Sequence, residues 1–160
     1  ASTGNVQIDP VKINFVELVE QTNGEFEERF EERSLTLIPT LPTEPLYIFA
    51  DGQHLWRVLE NLYNNACKYA AANSRIYAEV SAEEGFVSFT LKNISASALN
   101  ISPEELTERF VRGDRSRTTE GSGLGLSIAK SLTELQGGML DIQIDGDYFK
   151  ARVRFREVDD

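Results

Sequence analysis

The stretch from Asp51 to about Ala71 constrains the fold more than any other part of the chain. Asp51 suits the N-cap of a helix, because its carboxylate can accept from the unpaired N–H groups of a first turn. At about 100° per residue, Leu55, Val58, Leu59, Leu62 and Ala66 fall on one face, the core stripe. Asn61, Asn65 and Lys68 lie within about 60° of one another on the adjacent flank. A helix interior has little local use for asparagine, whose amide competes with the backbone for hydrogen bonds. Beside a core stripe and a lysine, the two amides could line a cleft that holds a metal–phosphate group. An amide oxygen is a hard ligand suited to Mg²⁺, and an ammonium meets phosphate charge. From spacing alone, a solvated helix flank accounts for the three residues equally well.

The rest of the chain surrounds this helix with a recognisable pattern. Asn14 and Glu17 form a capping-box pair, and Phe15, Leu18, Val19, Thr22, Phe26 and Phe30 follow at helical spacing. Gly24 weakens that first helix by about 1 kcal/mol relative to alanine. Pro39, Pro42 and Pro45 break the chain, with Leu35–Ile38 and Leu46–Phe49 as short strands on either side. Ile76, Ala78 and Val80 alternate with polar residues, as do Val87, Phe89 and Leu91. A third long helix is expected from Leu124 to Gln136, stopped by Gly137-Gly138. Two closing strands follow, with Leu140, Ile142 and Ile144, then Phe149, Ala151, Val153 and Phe155, at period two. Such alternation predicts a sheet covered by helices on one face and wetted on the other, a two-layer α+β sandwich.

Composition sets the outer bounds. A chain of 160 residues fits one domain, here taken as 1–160. It can bury roughly 70% of its unfolded surface without a staple. Its longest apolar run, Leu46 to Ala50, has five residues, against the ~20 of a membrane-spanning helix. Ala1-Ser2-Thr3-Gly4 reads as a linker end rather than a signal peptide. One cysteine, Cys67, and one histidine, His54, exclude a disulfide framework and a multi-histidine metal site. Sixteen basic against twenty-six acidic side chains give a net charge of −10, which argues against nucleic acid as a partner. Lys150, Arg152, Arg154 and Arg156 alternate with the inward residues of the last strand, as a solvated sheet face or an edge guard would.

Gly121-Ser122-Gly123-Leu124-Gly125-Leu126 opens straight into the third helix. Glycines let backbone N–H groups approach a phosphate closely, and a helix N-terminus adds a favourable dipole. The spacing is neither the dinucleotide G-x-G-x-x-G nor a P-loop. Just before it, Phe110 to Glu120 carries Arg112, Arg115 and Arg117 with no periodicity, in the manner of a lid that closes over an anion.

These segments together carry a family resemblance. Glu60-Asn61-Leu62-Tyr63-Asn64-Asn65-Ala66-Cys67-Lys68-Tyr69 resembles the N box of bacterial sensor histidine kinases. Phe110 with Arg112 resembles their F box, and Gly121 to Leu126 their G2 box, in family order. The resemblance spans essentially the whole chain as a catalytic ATP-binding domain, and it implies the Bergerat fold, a mixed, mostly antiparallel sheet under three helices. It also implies that Asn65 ligates Mg²⁺ with Asn61 in support, that Lys68 contacts phosphate, and that Tyr69 flanks the nucleotide. Backbone groups at Gly121, Ser122, Gly123, Leu124, Gly125 and Leu126 would hold the phosphates, with Phe110 and Arg112 approaching from the lid. Trp56, Leu59, Leu62 and Cys67 read as packing residues. The family's G1 box usually reads D-x-G-x-G, its aspartate accepting from the adenine amine. Here the matching stretch is Asn93-Ile94-Ser95-Ala96-Ser97, so an amide stands for the carboxylate and both glycines are gone.

The reaction implied is transfer of the γ-phosphoryl group of ATP to a histidine on a separate dimerisation domain, in two-component signalling to a response regulator. His54, at the start of the second helix, does not match the family's acceptor and reads as an ordinary helix residue. The chain is then a fragment, expected to be monomeric and cytoplasmic, of a homodimeric protein anchored in the membrane by segments outside it. Rival readings are a nucleotide-binding module without kinase activity, a serine kinase of the anti-sigma type, and a structural interaction domain.

Overall fold

The computed structural model describes residues 7–96 and 124–159. The strand β1 (Val11–Asn14) leads into helix α1 (Phe15–Glu32), followed by β2 (Thr36–Thr40) and β3 (Tyr47–Ala50). Helix α2 (Gly52–Tyr69) precedes the hairpin of β4 (Arg75–Glu83) and β5 (Phe86–Ile94). Helix α3 (Leu124–Leu135) leads into the hairpin of β6 (Met139–Asp145) and β7 (Tyr148–Val158). The strands join in the order β1-β3-β7-β5-β4-β2, with β6 beside β7. The β2–β4 pair is parallel and the other pairs are antiparallel, which makes the expected mixed sheet.

The inward residues read from the alternation are those that fill the core. Ile76, Ala78 and Val80 of β4, Val87, Phe89 and Leu91 of β5, and Phe149, Ala151, Val153 and Phe155 of β7 are all buried. A column of aromatic rings ties the layers together. Phe30 of α1 lies nearly parallel to Tyr63 of α2 at 6.1 Å, and Tyr63 nearly parallel to Phe89 of β5 at 5.9 Å. The Tyr63 hydroxyl donates to Asn23 Oδ1 in α1. Burial raises its pKa far above the ordinary phenol value, so it stays a neutral donor.

Two readings change in the structure. Pro39 lies within β2 and not in a break after it. This strand ends the sheet order, and an edge strand tolerates a residue that cannot donate. The basic row of β7 guards no edge, because β5 flanks this strand on one side and β6 and β3 on the other. Its side chains are partly satisfied locally: Arg154 pairs with Asp141 at 3.1 Å, and Arg156 lies over the Phe86 ring. The expected capping at Asn14 is present, its Oδ1 accepting from Glu17 N.

Asp51 knots three segments. Its carboxylate accepts from Gln53 N and His54 N as the α2 cap, and from Asp9 N at 2.8 Å. Its own N–H donates to Gln136 Oε1, just past α3. Gly137, at φ +86°, and Gly138 then close α3, their N–H groups donating to the Glu134 and Thr133 carbonyls. Gly138 has no room for more: a Cβ there would stand 2.7 Å from the Phe155 ring and 3.0 Å from the Arg154 carbonyl oxygen.

Gly138→Ala is therefore expected to destabilise the fold by about 1–3 kcal/mol through overpacking against β7. Urea unfolding would measure it, and a loss below about 0.5 kcal/mol would mean β7 yields freely. Asp51→Ala should cost at least the ~1–2 kcal/mol of a lost cap near neutral pH. Hydrogen bonds, the one from Asp9 N foremost, hold the Asp51 carboxyl below its unfolded value of 3.8. A depressed carboxyl pKa stabilises above the unfolded value, and that contribution disappears as pH falls through the folded one. The stability gap between parent and variant should thus be constant above about pH 5 and shrink in more acid solution. A gap that does not narrow there would show that the charge of Asp51 contributes nothing.

Candidate functional site

The cleft side of α2 follows from the phase its core stripe imposes. Leu55, Val58, Leu59, Leu62 and Ala66 are buried, as the spacing predicts. Tyr63 and Cys67 are buried as well, so the apolar surface reaches round toward α1. Asn61, Asn65, Lys68 and Tyr69 are left half-buried, at the margin of the core and not on an open face. Trp56 is also half-buried, whereas Leu59, Leu62 and Cys67 are packing residues as expected.

Asn61 meets the start of α3. A side chain placed on Gly125 would stand 3.6–3.7 Å from the Cβ, Cγ and Oδ1 atoms of Asn61. The N-terminal turn of α3 and the middle of α2 thus lie in direct apposition, although 64 positions separate Asn61 from Gly125 in the chain. Leu126, one residue further on, turns its side chain into the core at 1% exposure. Asn61 Nδ2 is buried and has no hydrogen-bond partner among the described residues.

Asn93 supplies the second orphan. It sits at the end of β5, on the inward face it shares with Phe89 and Leu91, and is 3% exposed. Its Nδ2 is also buried without a partner among the described residues. The segment that lacks the G1 glycines is nonetheless held in place. Ala71 N donates to the Ile94 carbonyl, Ala96 N to the Tyr69 carbonyl and Ser95 N to the Asp147 carbonyl. These bonds fasten the stretch after Asn93 to the end of α2 and to the β6–β7 turn.

Leaving a buried amide unpaired costs about 1–3 kcal/mol. Two such groups, one on α2 beside the start of α3 and one at the end of β5, fit a ligand that presents hydrogen-bonding edges. Among the described residues no three carboxylate, histidine or cysteine side chains gather to hold a metal.

His54, read from sequence as an ordinary helix residue, is half-buried, and its Nε2 donates to the Gln7 carbonyl at 3.0 Å. Phe110, Arg112, Gly121, Ser122 and Gly123, with Arg115 and Arg117, lie outside the described residues, as does the Leu124 side chain. Sequence reasoning missed Gln136, whose amide joins α3 to the start of α2, since a glutamine after a helix carries no distinguishing pattern. No described helix is long and apolar enough to cross a membrane.

Comparison with known proteins agrees with this fold. The family of histidine kinase-, DNA gyrase B-, and HSP90-like ATPases matches residues 50–157. The signal transduction histidine-protein kinase BaeS of Escherichia coli is 28% identical over 139 residues, covering 86% of this chain and 30% of BaeS. Sensor histidine kinase HprS of Escherichia coli is 42% identical over 92 residues, covering 57% of this chain and 20% of HprS. The chain therefore spans less than a third of either relative. Among solved structures, the catalytic domain of histidine kinase ThkA superposes with a TM-score of 0.77 at 25% identity, covering 93% of this chain and 96% of that one. Full-length ShkA, solved with AMPPNP, shares the fold with a TM-score of 0.76 at 21% identity, covering 97% of this chain and 32% of that one. With the family model matching residues 50–157 and the sheet and described helices superposing on solved catalytic domains, the chain belongs to the histidine kinase-, DNA gyrase B- and HSP90-like ATPase family, in the form that sensor histidine kinases carry.

Proposed function

We propose that residues 1–160 form the catalytic domain of a sensor histidine kinase, which passes the γ-phosphoryl group of ATP to a histidine on a separate dimerisation domain. The observation that carries this reading is the pair of orphaned amides, Asn61 on α2 against Gly125 at the start of α3 and Asn93 at the end of β5. Family membership supports ATP as the ligand, and ShkA was solved with an ATP analogue.

Each residue then has a distinct task. Asn93 accepts from the adenine amine, and Tyr69 flanks the nucleotide. Asn65 would hold Mg²⁺ with Asn61 in support, and the bound cation would supply charge that neutralises the phosphates. Lys68 meets the phosphates from α2, while the backbone from Gly121 through Leu126 meets them at the helix N-terminus. Phe110 and Arg112 approach from the lid side. Neutral imidazole is already a competent nucleophile near pH 7, with an unperturbed pKa of ~6.5. The domain has to position and neutralise rather than supply a base. Its sequence agrees: ATPases of this fold carry a water-activating glutamate four residues before the metal asparagine, and that position here is Asn61. Glu60 lies one residue off, about 100° around α2. Hydrolysis is accordingly slow, and the phosphoryl group is kept for a partner.

The partners are a homodimeric phosphoacceptor domain and, downstream, a response regulator. The protein as a whole is membrane-anchored, with this domain in the cytoplasm.

The chain alone should not label itself from γ-labelled ATP, but should label a sensor-kinase dimerisation domain added in trans. Asn65→Ala should abolish that labelling and Mg²⁺-dependent ATP binding measured by calorimetry. Binding without transfer to any acceptor would instead favour a regulatory nucleotide-binding module. Acid-labile phosphate on His54 would overturn the assignment of the acceptor to another domain.

Asn93 makes base selectivity a second test. A carboxylate offers acceptors alone, so it welcomes the adenine amine and repels the carbonyl that guanine presents there. An amide can rotate and donate instead, which removes a penalty of ~1–3 kcal/mol against guanine. In competition of GTP against bound ATP, Asn93→Asp should raise the preference for ATP. A ratio that stays level or falls would take Asn93 away from the base edge.

A further inference from the structure

The far side of α1 carries a feature that nucleotide chemistry does not use. Thr22, Asn23 and Gly24, three poor helix formers, follow one another in the middle of this 18-residue helix. The first two turn inward and are satisfied: Thr22 Oγ1 donates to the Leu18 carbonyl, and Asn23 accepts from Tyr63. Gly24 is exposed, and a Cβ placed on it would meet no atom within 4 Å. Its backbone is ordinary helix. Neither packing nor conformation among the described residues calls for a glycine that costs about 1 kcal/mol here.

Two grooves meet at this residue. One, of about 610 Å³, lies toward α2 and is lined by Leu18, Gln21, Gly24, Glu25 and Trp56. The other, of about 360 Å³, lies toward β2, where Leu37, Pro39 and Leu41 form its apolar wall. Because Gly24 lines both, the two grooves meet on α1 at a point that carries no side chain, with apolar residues on the far wall of each. Its rims are acidic: Glu20 and Glu27 border one groove and Glu25 the other. Around them α1 holds seven glutamates against one arginine, Arg29, which is engaged with Asn64 and the Phe26 ring.

We propose that the trough formed where these grooves meet over Gly24 docks an amphipathic helix whose apolar stripe is flanked by lysine or arginine. A helix crossing another makes its closest approach where one of them lacks a side chain, and Gly24 provides that point. The apolar ends receive the stripe, with Trp56 as an aromatic anchor of the kind that dominates interface energetics. The glutamate rims select basic flanks and reject acidic ones. This site lies across α1 from the nucleotide cleft and does not depend on the reading given to that cleft.

Trp56 is the single tryptophan of the chain, so its emission reports on the trough directly. The probe is a synthetic helix of about 18 residues, five turns, with leucine at i, i+3, i+4 and i+7 and lysine elsewhere. Binding should shift Trp56 emission to the blue and weaken with salt. Gly24→Gln fills the crossing point without changing charge, and it should weaken binding at least about tenfold while leaving Mg-ATP affinity unchanged. It should also unfold no earlier than the parent, since glutamine is the better helix former. Replacing Glu20, Glu25 and Glu27 by glutamine should weaken binding and flatten its salt dependence. The proposal is overturned if the lysine peptide gives no shift, if Gly24→Gln binds it as the parent does, or if a leucine/glutamate peptide of the same pattern binds equally. Self-association of the chain that Gly24→Gln abolishes would overturn it too, by assigning the trough to a second copy.

Discussion

The hydrogen bonds of one carboxylate fix the geometry on which the rest depends. Asp51 accepts from Gln53 N, His54 N and Asp9 N, and its own N–H is held by Gln136. Together these set the residue at which α2 begins. A helix that started one residue later would turn each side chain by about 100°. Leu62 and Ala66 would then take the places of Asn61 and Asn65, and the two amides would leave this flank. Half-way along, the stacked rings of Phe30, Tyr63 and Phe89 lock the same phase against α1 and the sheet. The cap and the column hold α2 at two points, and the cleft is what remains on its unlocked flank.

That flank shows why binding and core packing coexist on one helix. Asn61 and Asn93 keep amide groups buried without partners, a cost that a large aromatic and aliphatic core can offset. Such costs gather at sites, where the missing partner is a ligand and not another side chain. At residue 61 α2 presents an amide, which cannot accept a proton from water. Family membership says that the fold handles nucleotide.

The helix α2 divides the molecule functionally as well. Asn61 faces the start of α3, whereas Tyr63 bonds across to Asn23 of α1. Through that bond the inner face of α1 is tied to the helix that carries the cleft residues, while its outer face stays acidic and open at Gly24.

Much of this was legible in the chain itself. Alternation marked β4, β5, β6 and β7 because each buries one face, so period two is written directly into Ile76–Val80 and Phe149–Phe155. The α2 stripe, the Asp51 and Asn14 caps and the Gly137-Gly138 stop were legible for the same reason: each is a local rule about burial or an unpaired N–H or carbonyl group. The N-box polar flank was visible, but spacing could not separate a cleft from a wet helix face. What the tertiary structure decided is non-local. Pro39 is acceptable in β2 because no strand pairs beyond it, and the basic row of β7 is interior because β6 returns beside it. Gln136 became a link because the end of α3 comes to rest beside Asp51. Asn61 came to face Gly125, and the stretch after Asn93 came to be fastened to the end of α2, because α3 and β5 pack on α2 from positions distant in the chain. Sequence periodicity records which face of an element is buried; what lies against that face is settled when the elements pack.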